Sequence, residues 1–211
     1  MKMGKMRFGY KFIHRMVFYA LKLAFGVKVY GDDNVPREGK LVIVSNHISE
    51  MDPPLLGSTI PREVYYAAKV GLFRGWLGKI ITYLNGVPVR RSGSDKEAIK
   101  TLVKVLREDH AVLIFPEGTR SLDPNGMEAK AGVGMIALMA EADLLPVRVM
   151  GTHLWKKNFF RPGSMTVQFG HRISLQEMLD SSADRKEAYR KIADEIMRQV
   201  QELAKELPEK D

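Results

Sequence analysis

The segment Ser45-Asn46-His47-Ile48-Ser49-Glu50-Met51-Asp52-Pro53 places a histidine and an aspartate on one short stretch, directly after the apolar residues 41–44. An imidazole whose orientation is fixed by a carboxylate can act as a general base. On a regular helix His47 and Asp52 would lie about 140° apart, so they can meet only if the chain turns between them. Pro53 favours such a turn, because the residue before a proline is pushed out of the helical region.

The same residues also fit a purely structural role. Aspartate followed by proline is typical of a helix start, with Asp52 as the N-cap and Pro53 in the first turn. His47 would then be an ordinary loop histidine. Because this segment alone leaves both interpretations open, the choice depends on what else lies near it.

Further polar clusters follow other strand-like runs of the chain. Lys69 follows residues 64–68, Arg90-Arg91 follows residues 86–89, and Glu117-Gly118-Thr119-Arg120 follows residues 111–115. Ligands of open parallel sheets bind outside the carboxyl ends of the strands. Each cluster alone fits a solvated loop or a turn. Together they predict one rim with a base and a basic pocket for an anion.

The elements that would position this rim alternate along the chain. Strands are predicted at 41–45, 64–68, 86–89, 111–115, 145–149 and 165–169, and helices at 54–59, 75–84, 95–108, 133–141 and 183–207. This alternation predicts an α/β domain with a mostly parallel, twisted sheet covered by helices.

Residues 6–25 predict an amphipathic helix with an unusual charge pattern. At 100° per residue its basic side chains fall on one stripe, and a broad apolar face rich in aromatic residues covers the rest. The stripe comprises Arg7, Lys11, His14, Arg15 and Lys22, and the first 31 residues contain no Asp or Glu. A helix that packs on its own core is the alternative. The all-basic polar face favours a helix lying in an anionic membrane interface. We therefore divide the chain into a membrane-interface segment, 1–27, and a catalytic domain, 28–211.

Composition narrows the classes of partner and site. The 211 residues suit one large domain, and the net charge of +8 indicates an anionic partner. The basic residues are dispersed and form no nucleic-acid-binding motif, which disfavours nucleic acid. The absence of cysteine excludes disulfides and thiolate metal sites, and suggests a reducing cytoplasm. The charges at Lys11, Arg15 and Lys22 argue against both a cleavable signal and a membrane-spanning helix.

These residues together resemble the glycerolipid acyltransferase family, most closely its bacterial 1-acyl-glycerol-3-phosphate acyltransferases. Asn46-His47-x4-Asp52 is similar to the first motif of the family, and Lys69 through Gly86-Val87-Pro88-Val89-Arg90-Arg91 to the second. Phe115-Pro116-Glu117-Gly118-Thr119-Arg120-Ser121 is similar to the third, and Leu145-Pro146-Val147 to the fourth. In the second motif Arg90 stands where many relatives carry an acidic residue, and we expect Arg91 to face the ligand.

The resemblance implies an acyl transfer from a thioester to the hydroxyl of a glycerophosphate. His47 would be the base and Asp52 would orient it. Lys69, Arg91 and Arg120 would bind phosphate, while Glu117, Gly118 and Thr119 would position the rest of the acceptor. No metal or cofactor is expected besides acyl carrier protein or coenzyme A, which carries the acyl group. The enzyme would act on lysophosphatidic acid as a peripheral or monotopic protein on the cytoplasmic face of the cell membrane. A different acceptor, glycerol-3-phosphate or another lysophospholipid, and a non-catalytic lipid-binding module are the alternatives.

Overall fold

A computed structural model of the protein describes residues 6–89, 96–121, 129–178 and 184–205. Within these residues seven strands form one sheet flanked by helices. The strands are β1 (Lys28–Tyr30), β2 (Leu41–Ser45), β3 (Val64–Lys69), β4 (Gly86–Val89), β5 (Ala111–Ile114), β6 (Asp143–Met150) and β7 (Thr166–Phe169). The helices are α1 (Phe8–Phe25), α2 (Asp52–Thr59), α3 (Gly75–Tyr83), α4 (Lys96–Arg107), α5 (Gly132–Ala140), α6 (Leu175–Met178) and α7 (Arg185–Glu202).

The sheet has the order β1-β7-β6-β2-β5-β3-β4. Neighbouring strands are parallel except for β6 and β7, which pair antiparallel. The five strands from β6 to β4 therefore end at one edge of the sheet. This edge carries the segments that follow Ser45, Lys69, Ile114 and Met150.

Apolar side chains fill both faces of the sheet. All five residues of β2 are buried, as expected for a central parallel strand covered on both sides. One core cluster joins the sheet to α4, α5 and α7, and the other joins it to α1 and α2. The central strand that carries His47 at its end is therefore held rigidly from both faces, and that rigidity positions the loop.

The predicted α/β architecture is confirmed, with some differences at the ends of elements. Strand β6 begins at Asp143, two residues before the predicted start, and α2 begins at Asp52 rather than at residue 54. The three-residue strand β1 was not predicted, because Lys28–Tyr30 is too short to show an alternating pattern.

Helix α1 corrects one detail of the predicted basic stripe. His14 is buried, and its Nε2 lies 2.8 Å from the carbonyl oxygen of Ile60 at the end of α2. It therefore belongs to the face that packs on the domain, together with Tyr10, Leu21 and Phe25. The remaining surface of α1 exposes apolar side chains along with Arg15 and Lys22. Among the described helices, none is long and apolar enough to span a membrane. The division at residue 27 stays a prediction.

Candidate active site

The loop after β2 is fastened to the neighbouring strand β6 by one side chain. Asn46 is fully buried, and its amide oxygen accepts the backbone N–H of Val149 at 2.8 Å. Its amide nitrogen donates to the carbonyl of the same residue at 3.0 Å. The Asn46 side chain thus extends the β2–β6 hydrogen bonding beyond Ser45, while the backbone is released to turn toward His47.

His47 and Asp52 meet across this turn. His47 Nδ1 lies 2.9 Å from Asp52 Oδ2, and the Asp52 side chain is completely buried. The same oxygen accepts the backbone N–H groups of Ile48 and Ser49, each at 2.7 Å. Because an aspartate carboxylate can only accept, Nδ1 carries the proton and Nε2 is left as the basic nitrogen.

The other carboxylate oxygen is held from a distant part of the chain. Thr152 Oγ1 donates to Asp52 Oδ1 at 2.5 Å, and Thr152 is fully buried just after β6. Asp52 therefore has four donors, three from the turn that begins at His47 and one from β6. Asp52 is the first residue of α2, but the N-cap is Met51, so the alternative prediction of Asp52 as the N-cap is wrong. Its carboxylate accepts from residues that precede the helix.

The His47 ring and backbone are fixed by the segment after β5. The ring stacks on Phe115, with ring centres 4.3 Å apart and planes 24° apart. The backbone N–H of His47 donates to Glu117 Oε1 at 3.3 Å, and its carbonyl accepts the N–H of Ser121 at 2.9 Å. The His47 side chain retains 19% exposure, so a reactant can reach a ring that is otherwise held in place.

Glu117 lies beneath the His47 loop and is buried. Burial raises the pKa of the Glu117 carboxyl, and the charge of Asp52 acts in the same direction. The hydrogen bond from the His47 backbone N–H and the charge of Arg148 oppose that rise. Burial likewise lowers the pKa of the Arg148 guanidinium. Glu117 Oε2 and Arg148 Nε are buried without hydrogen-bond partners in the described residues. The geometry therefore gives Glu117 a contact with the backbone of the base.

Two of the three predicted phosphate-binding residues, Lys69 and Arg120, lie at the carboxyl edge of the sheet. Lys69 ends β3 and is exposed, as are Gly118, Thr119 and Arg120 after β5. Gly118 adopts a positive φ of 69°, which allows the chain to turn between Glu117 and Arg120. Arg120 Nη1 contacts Glu50 Oε2 at 2.6 Å. Arg91, like Arg90, lies outside the described residues.

A pocket of about 340 Å³ opens beside the His47 loop. One wall comprises residues 48–50 and Arg120, and the other comprises residues 153–157 after β6. Lys156, Lys157 and Arg120 place positive charge at the mouth of this pocket. The described residues contain no group of three or more His, Asp or Glu side chains that could hold a metal ion.

Several residues of this site were not singled out from the sequence. Asn46 was noted only as part of its motif, and Thr152, Arg148 and residues 153–157 were not noted. Thr152 lies two residues after the end of β6, so the rule that identified the other polar clusters, which follow strand ends, also applies to it. That Thr152 contacts Asp52, a residue 100 positions away, follows only from the adjacency of β2 and β6.

Comparison with known proteins places this arrangement in a family. The family model described as Acyltransferase matches residues 26–150, which include the His47 loop, the Glu117 segment and β6. The chain belongs to the acyltransferase family. The resemblance stated from the four motifs is thereby confirmed.

Curated relatives and a solved structure agree with this assignment. The acyltransferase chain is 34% identical over 166 residues to the 1-acyl-sn-glycerol-3-phosphate acyltransferase of Bacillus subtilis, covering 78% of this chain and 82% of the relative. It is 27% identical over 215 residues to the Saccharomyces cerevisiae protein of the same name, covering 95% and 69%. The crystal structure of the 1-acyl-sn-glycerophosphate (LPA) acyltransferase PlsC from Thermotoga maritima is similar, with a TM-score of 0.75 and 28% identity. That match covers 95% of this chain and 81% of the other.

Proposed function

We propose that this acyltransferase transfers an acyl group from a thioester to the free hydroxyl of 1-acyl-glycerol-3-phosphate, making phosphatidic acid. The donor would be acyl carrier protein or coenzyme A. The observation that carries the proposal is the buried Asp52 carboxylate bonded to His47 Nδ1, which leaves Nε2 available as a base. The names of the relatives support the choice of acceptor.

The chemistry is a direct attack on the thioester. His47 Nε2 takes the proton of the acceptor hydroxyl as its oxygen attacks the carbonyl carbon. Buried Asp52 stabilises the imidazolium that forms. The C–O bond forms, the C–S bond breaks, and the imidazolium returns the proton to the departing thiolate. The sequence has neither a cysteine nor a Gly-x-Ser-x-Gly elbow, so direct attack is favoured over an acyl-enzyme.

The phosphate of the acceptor would bind along the basic rim. Lys69 ends β3, Arg120 follows β5, and Arg91 comes after β4 in the sequence. Guanidinium groups match phosphate oxygens in geometry as well as in charge. Glu50 contacts Arg120 on the side of the pocket next to the His47 loop. In this arrangement Glu117 supports the loop from below, and Gly118 and Thr119 lie at the surface where the glycerol would bind.

The acceptor carries an acyl chain that stays in a bilayer, so the site must work at a membrane surface. Helix α1 would provide attachment to the cytoplasmic face through its exposed apolar side chains and through Arg15 and Lys22. The protein would then be peripheral or monotopic.

Product analysis tests the proposed donor and acceptor. Acyl carrier protein and coenzyme A thioesters are each offered with 1-acyl-glycerol-3-phosphate, glycerol-3-phosphate and neutral lysophospholipids. We expect phosphatidic acid from the first acceptor at the highest kcat/KM. Faster acylation of glycerol-3-phosphate or of a neutral lysophospholipid would replace the proposed acceptor, and the absence of any acyl product would leave a lipid-binding module.

A further inference from the structure

The exposed large apolar side chains of this protein are concentrated on one part of its surface. Among the described residues, all of them except Met139 lie on three segments: α1, residues 70–83 and residues 153–161. Soluble proteins scatter such side chains, and a contiguous exposed apolar surface indicates an interaction site. The distribution therefore requires a partner for these segments.

Residues 70–83, which include α3, also expose large apolar side chains. The exposed large apolar side chains of this segment are Val70, Leu72, Trp76, Leu77, Ile80 and Tyr83. Trp76 is 75% exposed. The segment begins directly after Lys69, at the edge of the sheet that carries the His47 loop.

Residues 153–161 form the opposite flank of the site. Their first half lines the pocket beside the His47 loop, and their second half exposes Phe159 and Phe160. Phe160 is 70% exposed and has a positive φ of 60°. This conformation is unfavourable for a bulky residue. Exposure of the phenyl ring to solvent does not offset this backbone strain, so the conformation points to a partner that binds the ring.

Both flanking segments contact α1, so the three are physically continuous. At the start of α1, Arg7 Nη2 donates to the carbonyl of Tyr83 at 3.0 Å. At its end, the N–H of Phe160 donates to the carbonyl of Ala24 at 2.7 Å. The ring of Phe159 also packs edge-on against Phe25, with ring centres 5.5 Å apart.

The charges of the three segments have one sign. Helix α1 with the preceding Arg7, residues 70–83 and residues 153–161 contain no Asp or Glu. Their exposed basic side chains are Arg7, Arg15, Lys22, Arg74, Lys79, Lys156, Lys157 and Arg161. Aromatic and aliphatic side chains fringed by Lys and Arg match the interface of an anionic bilayer.

We propose that α1, residues 70–83 and residues 153–161 together form one docking surface for an anionic phospholipid bilayer. This inference deepens the proposed function, on which it rests, because it adds two segments to the attachment by α1 and places them on both sides of the site. Trp76 and Phe160 enter the interface, and Lys156 and Lys157 face the headgroups beside the pocket. An acceptor then presents its free hydroxyl to His47 and its phosphate to the basic residues at the edge of the sheet, while its acyl chain stays in the bilayer.

Two substitutions outside α1 test the surface in the full-length chain. Phe160→Gly removes the ring and at the same time relieves the positive-φ strain, so folding should be preserved or improved. Trp76→Ser removes the most exposed large apolar side chain of α3. Met139→Ser is the matched control, since Met139 is exposed on α5, outside the three segments. Binding is measured by flotation with phosphatidylcholine vesicles containing or lacking phosphatidylglycerol, and thermal unfolding is followed for each variant.

We expect each of Phe160→Gly and Trp76→Ser to weaken vesicle binding by about tenfold, with Met139→Ser unchanged. In a Trp155→Phe protein, brominated lipids should quench the fluorescence of Trp76. Normal binding by both variants, or an unquenched Trp76, would restrict attachment to α1 and overturn the proposal. A surface that joins two copies of the chain would instead appear as a change of sedimentation coefficient in the variants, with normal vesicle binding.

The vesicle measurement is independent of catalysis. His47→Ala, expected to be inactive, should bind vesicles as the wild-type protein does. If the proposed acyl transfer fails while Phe160→Gly and Trp76→Ser still lose binding, the docking surface stands without the reaction. If the transfer is confirmed but these variants bind normally, the docking surface is wrong and the reaction stands.

Discussion

The orientation of the Asp52 carboxylate depends on which parts of the chain supply its hydrogen-bond donors. Three of them are set by the turn from His47 to Ser49, while the fourth, Thr152, ties the carboxylate to the end of β6. A carboxylate held from two strands cannot rotate away from the imidazole. The orientation of the base thus depends on a residue outside the histidine–aspartate motif.

Thr152→Val tests this dependence, because valine keeps the shape of threonine and lacks the hydroxyl. Losing a hydrogen bond to a buried charged group should lower kcat by about tenfold and destabilise the fold by about 1–3 kcal/mol. Thr152→Ser is the control and should retain most of both. Turnover and unfolding are measured on the same preparations. An undiminished kcat in Thr152→Val would show that the turn alone orients Asp52.

Arg120 bears on recognition of the acceptor rather than on proton transfer. Arg120→Ala should mainly raise KM for the phosphate-bearing acceptor, with a loss in kcat/KM worth about 2–4 kcal/mol if the guanidinium is well desolvated in the complex. KM for the acyl donor should change much less. Arg190→Ala, on the exposed surface of α7, is the control. A change confined to the donor would mean that the basic rim binds the thioester carrier instead.

At the scale of elements, α1 carries two functions on two faces. Its inner face packs on α2 and includes His14, whose pKa is lowered by burial although the Ile60 carbonyl acts in the opposite direction. Its outer face exposes apolar side chains with Arg15 and Lys22. The sequence showed the charges and the aromatic residues of α1 but could not decide which part of its broad apolar face packs on the domain and which part stays exposed.

The lowered pKa of His14 predicts a pH dependence of stability. As pH falls below the ordinary histidine value of 6.5, the unfolded chain binds a proton that the folded chain resists, so stability is lost with falling pH. Chemical denaturation between about pH 7.5 and about pH 5 should show a smaller decline for His14→Gln than for the wild-type protein. His171→Gln, at an exposed position, should retain the wild-type decline. Equal declines in all three proteins would contradict a neutral, buried His14.

The outer face of α1 predicts salt-sensitive membrane binding. Arg15→Glu combined with Lys22→Glu should weaken binding to phosphatidylglycerol vesicles, most strongly at low ionic strength, since each cation contributes about 1 kcal/mol near an anionic surface. Lys186→Glu combined with Arg190→Glu makes the same change of charge on α7 and should bind normally. Vesicle sedimentation measures both. Equal losses in the two variants would indicate a response to net charge rather than to α1.

At the scale of the whole molecule, the sequence predicted what depends on local patterns. Apolar runs gave the central strands, and polar residues after those runs gave the rim with His47, Lys69 and Arg120. Contacts between distant segments were not predictable without strand order. The pairing of Asn46 with Val149 and of Thr152 with Asp52 requires that β2 and β6 be neighbours, and one chain carries no direct signal for that adjacency.

The docking surface illustrates the same limit. The basic and aromatic character of residues 153–161 is visible in the sequence, but their assignment to a docking surface depends on their contact with α1 and with the pocket. Likewise, the family resemblance implied that Glu117 positions the substrate. Its buried contact with the His47 backbone becomes visible only when the loops after β2 and β5 lie side by side.

The central claim is that His47 is the general base of acyl transfer to 1-acyl-glycerol-3-phosphate, and single-turnover transfer from a labelled acyl thioester by His47→Ala tests it most directly. Loss of a positioned general base should lower the rate by about three orders of magnitude, in a protein that still unfolds cooperatively and binds vesicles as the wild-type protein does. Asp52→Asn should lower the rate severely, though less than His47→Ala does. His171→Ala should transfer the acyl group at the wild-type rate. A folded His47→Ala protein that transfers the acyl group at a near-normal rate would contradict the account.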